Sequence, residues 1–301
     1  MYLDEYIHIT KGEQMKLLEL VDKYLENPYE IHTEIIKGYH HPSSASCAIK
    51  NEYGEEIIVG KCLRDVYWKN KSVKPSNPMT ARGARICAYG KAIERFEIEQ
   101  YKQIGVWRDN NVKFINPKYN ISGEADCIIF DKDINALRGV EVKSGYDYKF
   151  RTEVVGTPTR PGKPKPEHLL QTMFYIDYFK IPFNVVYIDR GNAARKEYEI
   201  TVNEDGTPNI NGVKLNNGLS IPRCMSRFRQ LEEHLKDGTL PRRDFQLKYS
   251  KERLEILSNS RRLRKGQKEE FDKNNDLDLG DWQCSYCDYK DYCWKKDGKD
   301  E

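Results

Sequence analysis

The chain of 301 residues is 38% hydrophobic and 11% aromatic, enough to bury a core and too much for a disordered chain. Lys and Arg number 50 against 47 Asp and Glu, so a net charge of +3 does not by itself announce a polyanionic partner. Apolar runs are as short as Val185-Val186-Tyr187-Ile188, which excludes a membrane-spanning helix. The start Met1-Tyr2-Leu3-Asp4-Glu5 lacks a basic stretch followed by an apolar run, so a cytoplasmic protein is expected. In that compartment the eight cysteines point to metal ligation or reduced core thiols, not to a disulfide framework.

Residues 1–40 show helical apolar spacing at Met15, Leu17, Leu18, Leu20, Val21, Tyr24 and Leu25. Residues 41–80, bounded by His41-Pro42-Ser43-Ser44 and Pro75-Ser76-Asn77-Pro78, read as an irregular connection. A helix is predicted over 81–104, with Ile86, Gly90, Ile93, Glu94, Glu97, Tyr101 and Ile104 on one stripe. Two carboxylates in an otherwise apolar stripe need a partner, either a metal in the neighbouring sheet or a salt bridge from Arg82 or Arg85.

Strands are predicted over 119–130 and 138–144, separated by Asp131-Lys132-Asp133-Ile134-Asn135. A Pro/Gly/basic loop, Thr157 to Pro166, leads into a helix over 167–180, and further strands are expected near 184–189 and 197–202. The order predicts a mixed α/β sheet with flanking helices. In three parts, residues 1–80 form a helical region and connection, 81–220 a core, and 221–301 a basic helical region with a cysteine-rich tail.

From Arg223 to Lys268, 14 Lys/Arg face 6 Asp/Glu, a local excess of +8 that suits a phosphate-tracking surface as well as a solvated helical face. Leu231, Leu235, Leu254, Ile256, Leu257 and Leu263 give this stretch helical spacing. Phe271 to Gly280 reads as an acidic, Asn-rich linker. There is no internal repeat and no G-x-x-x-x-G-K-[ST] phosphate loop, which argues against an attached helicase motor.

The chemistry concentrates in two places. In Gly139-Val140-Glu141-Val142-Lys143-Ser144, alternation puts Glu141 and Lys143 on one face and Val140 and Val142 on the other. Gly123-Glu124-Ala125-Asp126 on the preceding strand would bring Asp126 beside Glu141 if the two strands pair. Adjacent carboxylates repel, and a hard divalent cation relieves that repulsion through oxygen ligands. On the helix after the proline loop, Gln171 and Tyr175 are four apart and share a face. The second place is the tail, where Cys284, Cys287 and Cys293 stand in C-x₂-C-x₅-C spacing suited to a soft metal or an iron–sulfur cluster. A fourth ligand is expected upstream, Cys62 in Cys62-Leu63-Arg64-Asp65-Val66-Tyr67-Trp68, with Cys47 as the rival. Cys87, Cys127 and Cys224 read as buried apolar thiols.

Gly90-x-x-x-Glu94, Gly123-Glu124-Ala125-Asp126, Glu141-Val142-Lys143 and Gln171-x-x-x-Tyr175, in that order, resemble the PD-(D/E)XK nuclease superfamily over about residues 81–202. The RecB-like branch with a four-cysteine [4Fe–4S] site is the most similar part of it, as in the CRISPR-associated adaptation exonucleases and AddB-type nuclease domains. The resemblance implies a restriction-endonuclease-like α/β fold and a nuclease dependent on Mg²⁺ or Mn²⁺. It implies Asp126, Glu141 and the Val142 carbonyl as metal ligands, Lys143 as the catalytic lysine, and Gln171 and Tyr175 as the branch's additional pair. That branch often has His where Glu94 stands, so an altered metal preference is expected, with Glu97 a possible substitute.

It also implies an iron–sulfur staple formed by Cys62, Cys284, Cys287 and Cys293, with Zn²⁺ as alternative occupant. The expected substrate is single-stranded DNA or DNA ends, with Arg160, Lys163, Lys165, Arg242, Arg243, Arg261 and Arg262 as backbone contacts. An endonuclease of the same fold and a non-catalytic DNA-binding or scaffold protein are the competing readings.

Overall fold

The computed structural model describes residues 17–26 and 38–294; the expected helical spacing at Met15 lies outside them. Within them the chain runs α1 (Leu17–Glu26), a 3₁₀ turn (Pro42–Ser44), β1 (Ser46–Lys50), β2 (Glu56–Gly60), α2 (Leu63–Asn70) and α3 (Ala81–Gln103). There follow β3 (Trp107–Asn116), β4 (Ile121–Asp131), β5 (Ala136–Gly145), a π-helical turn (Phe150–Val155), β6 (Gly156–Thr157), β7 (Arg160–Pro161) and α4 (Pro166–Phe179). The remainder is β8 (Phe183–Asp189), β9 (Arg195–Val202), β10 (Pro208–Ile210), β11 (Val213–Lys214), α5 (Ile221–Asp237), α6 (Lys251–Asn259), α7 (Lys265–Asn274), α8 (Trp282–Ser285) and α9 (Lys290–Trp294).

Seven strands form one mixed sheet in the order β11-β10-β9-β8-β5-β4-β3. Only β5 and β8 are parallel, and α4 is the crossover that a parallel pair requires. Helices flank both faces of this α/β sheet. On one, Leu169, Leu170, Met173, Phe174 and Tyr175 of α4 pack on Phe183, Val185 and Tyr187, and Phe228 of α5 joins the same core. On the other, Ile98 of α3 packs on Cys127, Val140, Val142, Val186 and Ile188. Among the described residues no helix is long and apolar enough to cross a membrane.

The strands over 121–131 and 136–145 and the helices α3 and α4 match the sequence reading closely. Other segments do not. Residues 41–80 are ordered: β1 and β2 form an antiparallel hairpin that pairs Cys47 with Val59, and α2 buries Leu63, Val66 and Tyr67 against Leu231 of α5. The strand β3 went unread because Arg108-Asp109-Asn110-Asn111 is polar; it is an edge strand, largely exposed. The stretch read as a linker is packed, since Phe271 lies in α7 and, with Leu277, covers Leu254 of α6. Ile86 and Ile104 are exposed, so the apolar stripe of α3 is narrower than its periodicity suggests.

Candidate active site

The strands β4 and β5 pair from Asp131–Ala136 up to Cys127–Val140 and then part. Beyond that point β4 continues along β3, with a short parallel bridge from His40 to Ile121, and β5 continues along β8. Asp126 is the first residue past the split, and its Oδ2 accepts the backbone N–H of Val142 at 2.8 Å. In an extended strand a residue's N–H and C=O point to the same edge, so the Val142 carbonyl also faces the unpaired gap.

Glu141 sits in this gap with its side chain 0% exposed. Its Oε1 pairs with the Lys143 ammonium, and its Oε2 is buried with no partner. An unpaired buried carboxylate oxygen is costly, so such an atom marks a position that wants a proton or a cation. Burial and the charge of Asp126 push the Glu141 carboxyl up to about 8, against the pull of Lys143. For Lys143 burial opposes the charge, but Glu141, Asp126 and Glu94 outweigh it and raise its pKa. The lysine is therefore a fixed cation.

Glu94 of α3 is also buried, and burial together with Asp126 raises its pKa. Its partner is neither Arg82 nor Arg85: Lys91, one turn earlier, holds both carboxylate oxygens at 3.0 and 3.1 Å. Arg85 reaches Asp22 of α1 instead. Glu97 is paired with Arg195 of β9 at 2.7 Å. Lys91 and Arg195 were not legible as partners; Lys91 stands at the i,i+3 spacing that would have suggested it.

From the far side of the gap, α4 contributes Gln171 and Tyr175. The Tyr175 hydroxyl donates to the Glu124 carbonyl at 2.9 Å and accepts from Gln171 Nε2 at 2.6 Å. Tyr175 is thus buried as a tie between α4 and the backbone two residues before Asp126. His168, one turn before Gln171, bonds through Nδ1 to the Tyr187 hydroxyl at 2.9 Å. Where β5 ends, Gly145 is required: a Cβ there would lie 2.1 Å from the Phe150 ring that packs over the strand.

Among the described residues no three His, Cys, Asp or Glu side chains already converge to hold one ion. Asp126, Glu141 and the Val142 carbonyl nonetheless supply the oxygen donors that Mg²⁺ or Mn²⁺ prefers, and the orphaned Oε2 of Glu141 is the vacant donor such an ion would take. The donor set fits a hard divalent cation.

Cys62 and the tail cysteines lie within electrostatic reach of one another. Cys62 caps the start of α2, and the tail docks onto the residues after it. Asn77 and the Asp288 carbonyl bond at 2.8 Å, the Tyr289 hydroxyl reaches the Val73 carbonyl at 3.0 Å, and Lys69 pairs with Asp288 at 3.0 Å. Burial first pushes the pKa of Cys284 up to about 12 and that of Cys287 to about 11; Cys62, Asp281 and Cys293 add to the first, and Asp65, Cys62 and Cys293 to the second. Arg64 aims Nη1 at Cys293 Sγ, 3.6 Å away. Thiols beside a cationic N–H are donors of the kind a soft metal or an iron–sulfur cluster takes, although among the described residues no three metal-ligating side chains converge on one point.

Cys47 is elsewhere, buried beside Cys224, which lowers its pKa to about 7. Cys127 and Cys224 are buried as expected, whereas Cys87 is exposed.

The proposed DNA-contacting residues divide. Arg160 in β7 and Lys163 and Lys165 between β7 and α4 are exposed, as are Arg242 and Arg261. Arg262 instead forks onto Glu55 at 2.6 and 2.7 Å and stacks on Tyr53, and Arg243 stacks on Trp294 and donates to the Cys293 carbonyl at 2.7 Å.

No protein-family model and no curated protein matches the chain. A solved structure described as "Crystal structure of SSO0001" is similar to it over 90% of this chain and 92% of that one, at 15% sequence identity and a TM-score of 0.45.

Proposed function

We propose that the chain is a divalent-metal-dependent DNA nuclease with a restriction-endonuclease-like core, acting on single-stranded DNA or DNA ends. The observation that carries this reading is the buried, unpartnered Oε2 of Glu141, set beside Asp126 and Lys143 where β4 and β5 part. Asp126, Glu141 and the Val142 carbonyl would hold Mg²⁺ or Mn²⁺, with Glu94 adding negative charge from α3. Bound there, the ion supplies Lewis-acid polarisation of a phosphoryl oxygen and a bound water of lowered pKa.

The protein's own groups do the rest. Lys143 carries a permanent positive charge beside these carboxylates, placed to balance charge that develops on phosphate oxygens. Tyr175 and Gln171 fix the β4 backbone, so Asp126 is positioned before substrate arrives. Arg160, Lys163, Lys165, Arg242 and Arg261 offer charge to the DNA backbone. Cys62, Cys284, Cys287 and Cys293 would hold a [4Fe–4S] cluster, or Zn²⁺, that staples the tail to α2 and has no part in hydrolysis.

The test is cleavage of 5′-labelled and 3′-labelled single-stranded DNA with Mg²⁺ or Mn²⁺, on protein purified without oxygen. Metal-dependent loss of one label before the other, absent in Lys143→Ala although that variant still binds DNA, is the expected result. Discrete fragments from closed circular DNA would make it an endonuclease. No cleavage of any end, circle or duplex would make it a DNA-binding partner protein.

A further inference from the structure

His168 lies within the site but is absent from the groups assigned above. It begins the stripe His168–Gln171–Tyr175, spaced to share one face of α4. Tyr175 reaches the Glu124 carbonyl of β4, two residues before Asp126, and Gln171 donates to the Tyr175 hydroxyl. His168 reaches β8 instead, where its ring stacks on Tyr187 with centroids 5.5 Å apart. Tyr187 is the register partner of Lys143 across the parallel β5–β8 pair, which brings the imidazole next to the catalytic lysine. The Lys143 charge is felt at His168 and, after burial, is the largest influence holding the imidazole neutral.

The hydrogen bonds decide which nitrogen carries the proton. The Tyr187 hydroxyl oxygen accepts the backbone N–H of Lys165 at 3.0 Å, and Tyr187 is 0% exposed. Its own O–H needs an acceptor in that buried place, and His168 Nδ1 stands 2.9 Å away. Were Nδ1 protonated, the tyrosine would accept twice and leave its own proton buried without a partner. The imidazole is therefore the Nε2–H tautomer, set by a backbone amide through a tyrosine.

We propose that His168, as this neutral tautomer, donates Nε2–H to a non-bridging phosphate oxygen of the DNA strand lying over Lys143. The proposal rests on the nuclease reading. It gives the site a neutral, directional donor beside the Lys143 cation and assigns His168 no role as a general base, since the lone pair on Nδ1 is occupied.

Two variants separate this role from support of the fold. The amide of His168→Asn overlays Nδ1 and keeps an acceptor for Tyr187 while losing the outer donor; the longer amide of His168→Gln restores a donor where Nε2 stood. The expected result is a loss of kcat of about 100-fold in His168→Asn, with thermal stability kept, and recovery to within about 10-fold of wild type in His168→Gln. Nitrogen-15 spectra of the histidine-labelled protein, free of DNA, should show Nε2 protonated and Nδ1 bare. Full activity in His168→Asn, equal loss in both variants, or a protonated Nδ1 would each overturn the assignment while wild-type cleavage left the nuclease reading standing. Failure of the wild-type protein to cleave any DNA would remove both.

Discussion

The backbone N–H of Val142 donates to Oδ2 of Asp126 across a gap in which the two strands have already stopped pairing. One carboxylate oxygen thus replaces a ladder hydrogen bond, and the sheet opens without leaving that N–H unsatisfied. The opening is what lets Glu141 enter the interior with one oxygen on Lys143 and the other free. Strand separation, carboxylate burial and fixed lysine charge are consequences of the same local arrangement.

That arrangement makes stability depend on pH. The Glu141 pKa is about 8 in the folded chain against an ordinary 4.5, so the folded state holds the proton more tightly. Its contribution is full at pH values below 4.5 and is lost as the pH rises through about 8, and the raised pKa of Glu94 acts in the same direction. In the presence of a chelator, the melting temperature should fall from about pH 5 to about pH 8, and Glu141→Gln should flatten the fall. Added Mg²⁺ or Mn²⁺ should raise it most at the upper end, where the carboxylate is ionised. Circular-dichroism melts across that range check this; an unchanged slope in Glu141→Gln would contradict it.

Tyr175 is expected to act through the backbone and not on substrate. Removing its hydroxyl in Tyr175→Phe takes away the hydrogen bond to the Glu124 carbonyl, at a cost of about 0.5–1.5 kcal/mol. Denaturant unfolding should show that loss, and cleavage should fall in kcat with KM for DNA unchanged. A raised KM with unaltered stability would instead place the hydroxyl on DNA.

The sequence made β4, β5 and α4 legible because each carries the period of its element through a buried region, and alternation showed which residues share a face. It did not disclose β3, because an edge strand satisfies its exposed side with polar residues and so resembles a loop. Nor did it disclose β1 and β2, whose five-residue strands are too short to show a period. For the candidate site, residue types in order singled out the carboxylates and the lysine that the fold brings together. Partners such as Arg195 for Glu97 and Glu55 for Arg262 are separated by about a hundred residues or more and follow only from the fold. His168 was within reach, since it shares the helical spacing of Gln171 and Tyr175.

Cysteine substitutions should sort by position. Cys62→Ser and Cys287→Ser should lose bound iron and sulfide, together with absorbance in the visible range, when purified without oxygen. Cys47→Ser should keep both, because Cys47 lies beside Cys224 and away from the tail. Zinc in place of iron at a stoichiometric level would leave the ligand set intact and change its occupant.

The two neighbouring arginines in the α6–α7 connection should behave oppositely. Arg262 forks onto Glu55 and covers Tyr53, with its side chain 13% exposed, so it clamps the connection to the β1–β2 hairpin. Arg262→Ala should therefore lower the melting temperature, since it removes both the fork onto Glu55 and the cover over Tyr53. Its affinity for single-stranded DNA should stay within about twofold, because a guanidinium already neutralised by Glu55 displaces few counterions. Arg261 is exposed, so Arg261→Ala should leave the melting temperature unchanged while weakening DNA binding and reducing the salt dependence of log Kd by about one. Titration of labelled oligonucleotide at several salt concentrations, beside thermal melts of both variants, reads the two effects separately. A loss of affinity in Arg262→Ala with stability intact would return that residue to the DNA-binding surface.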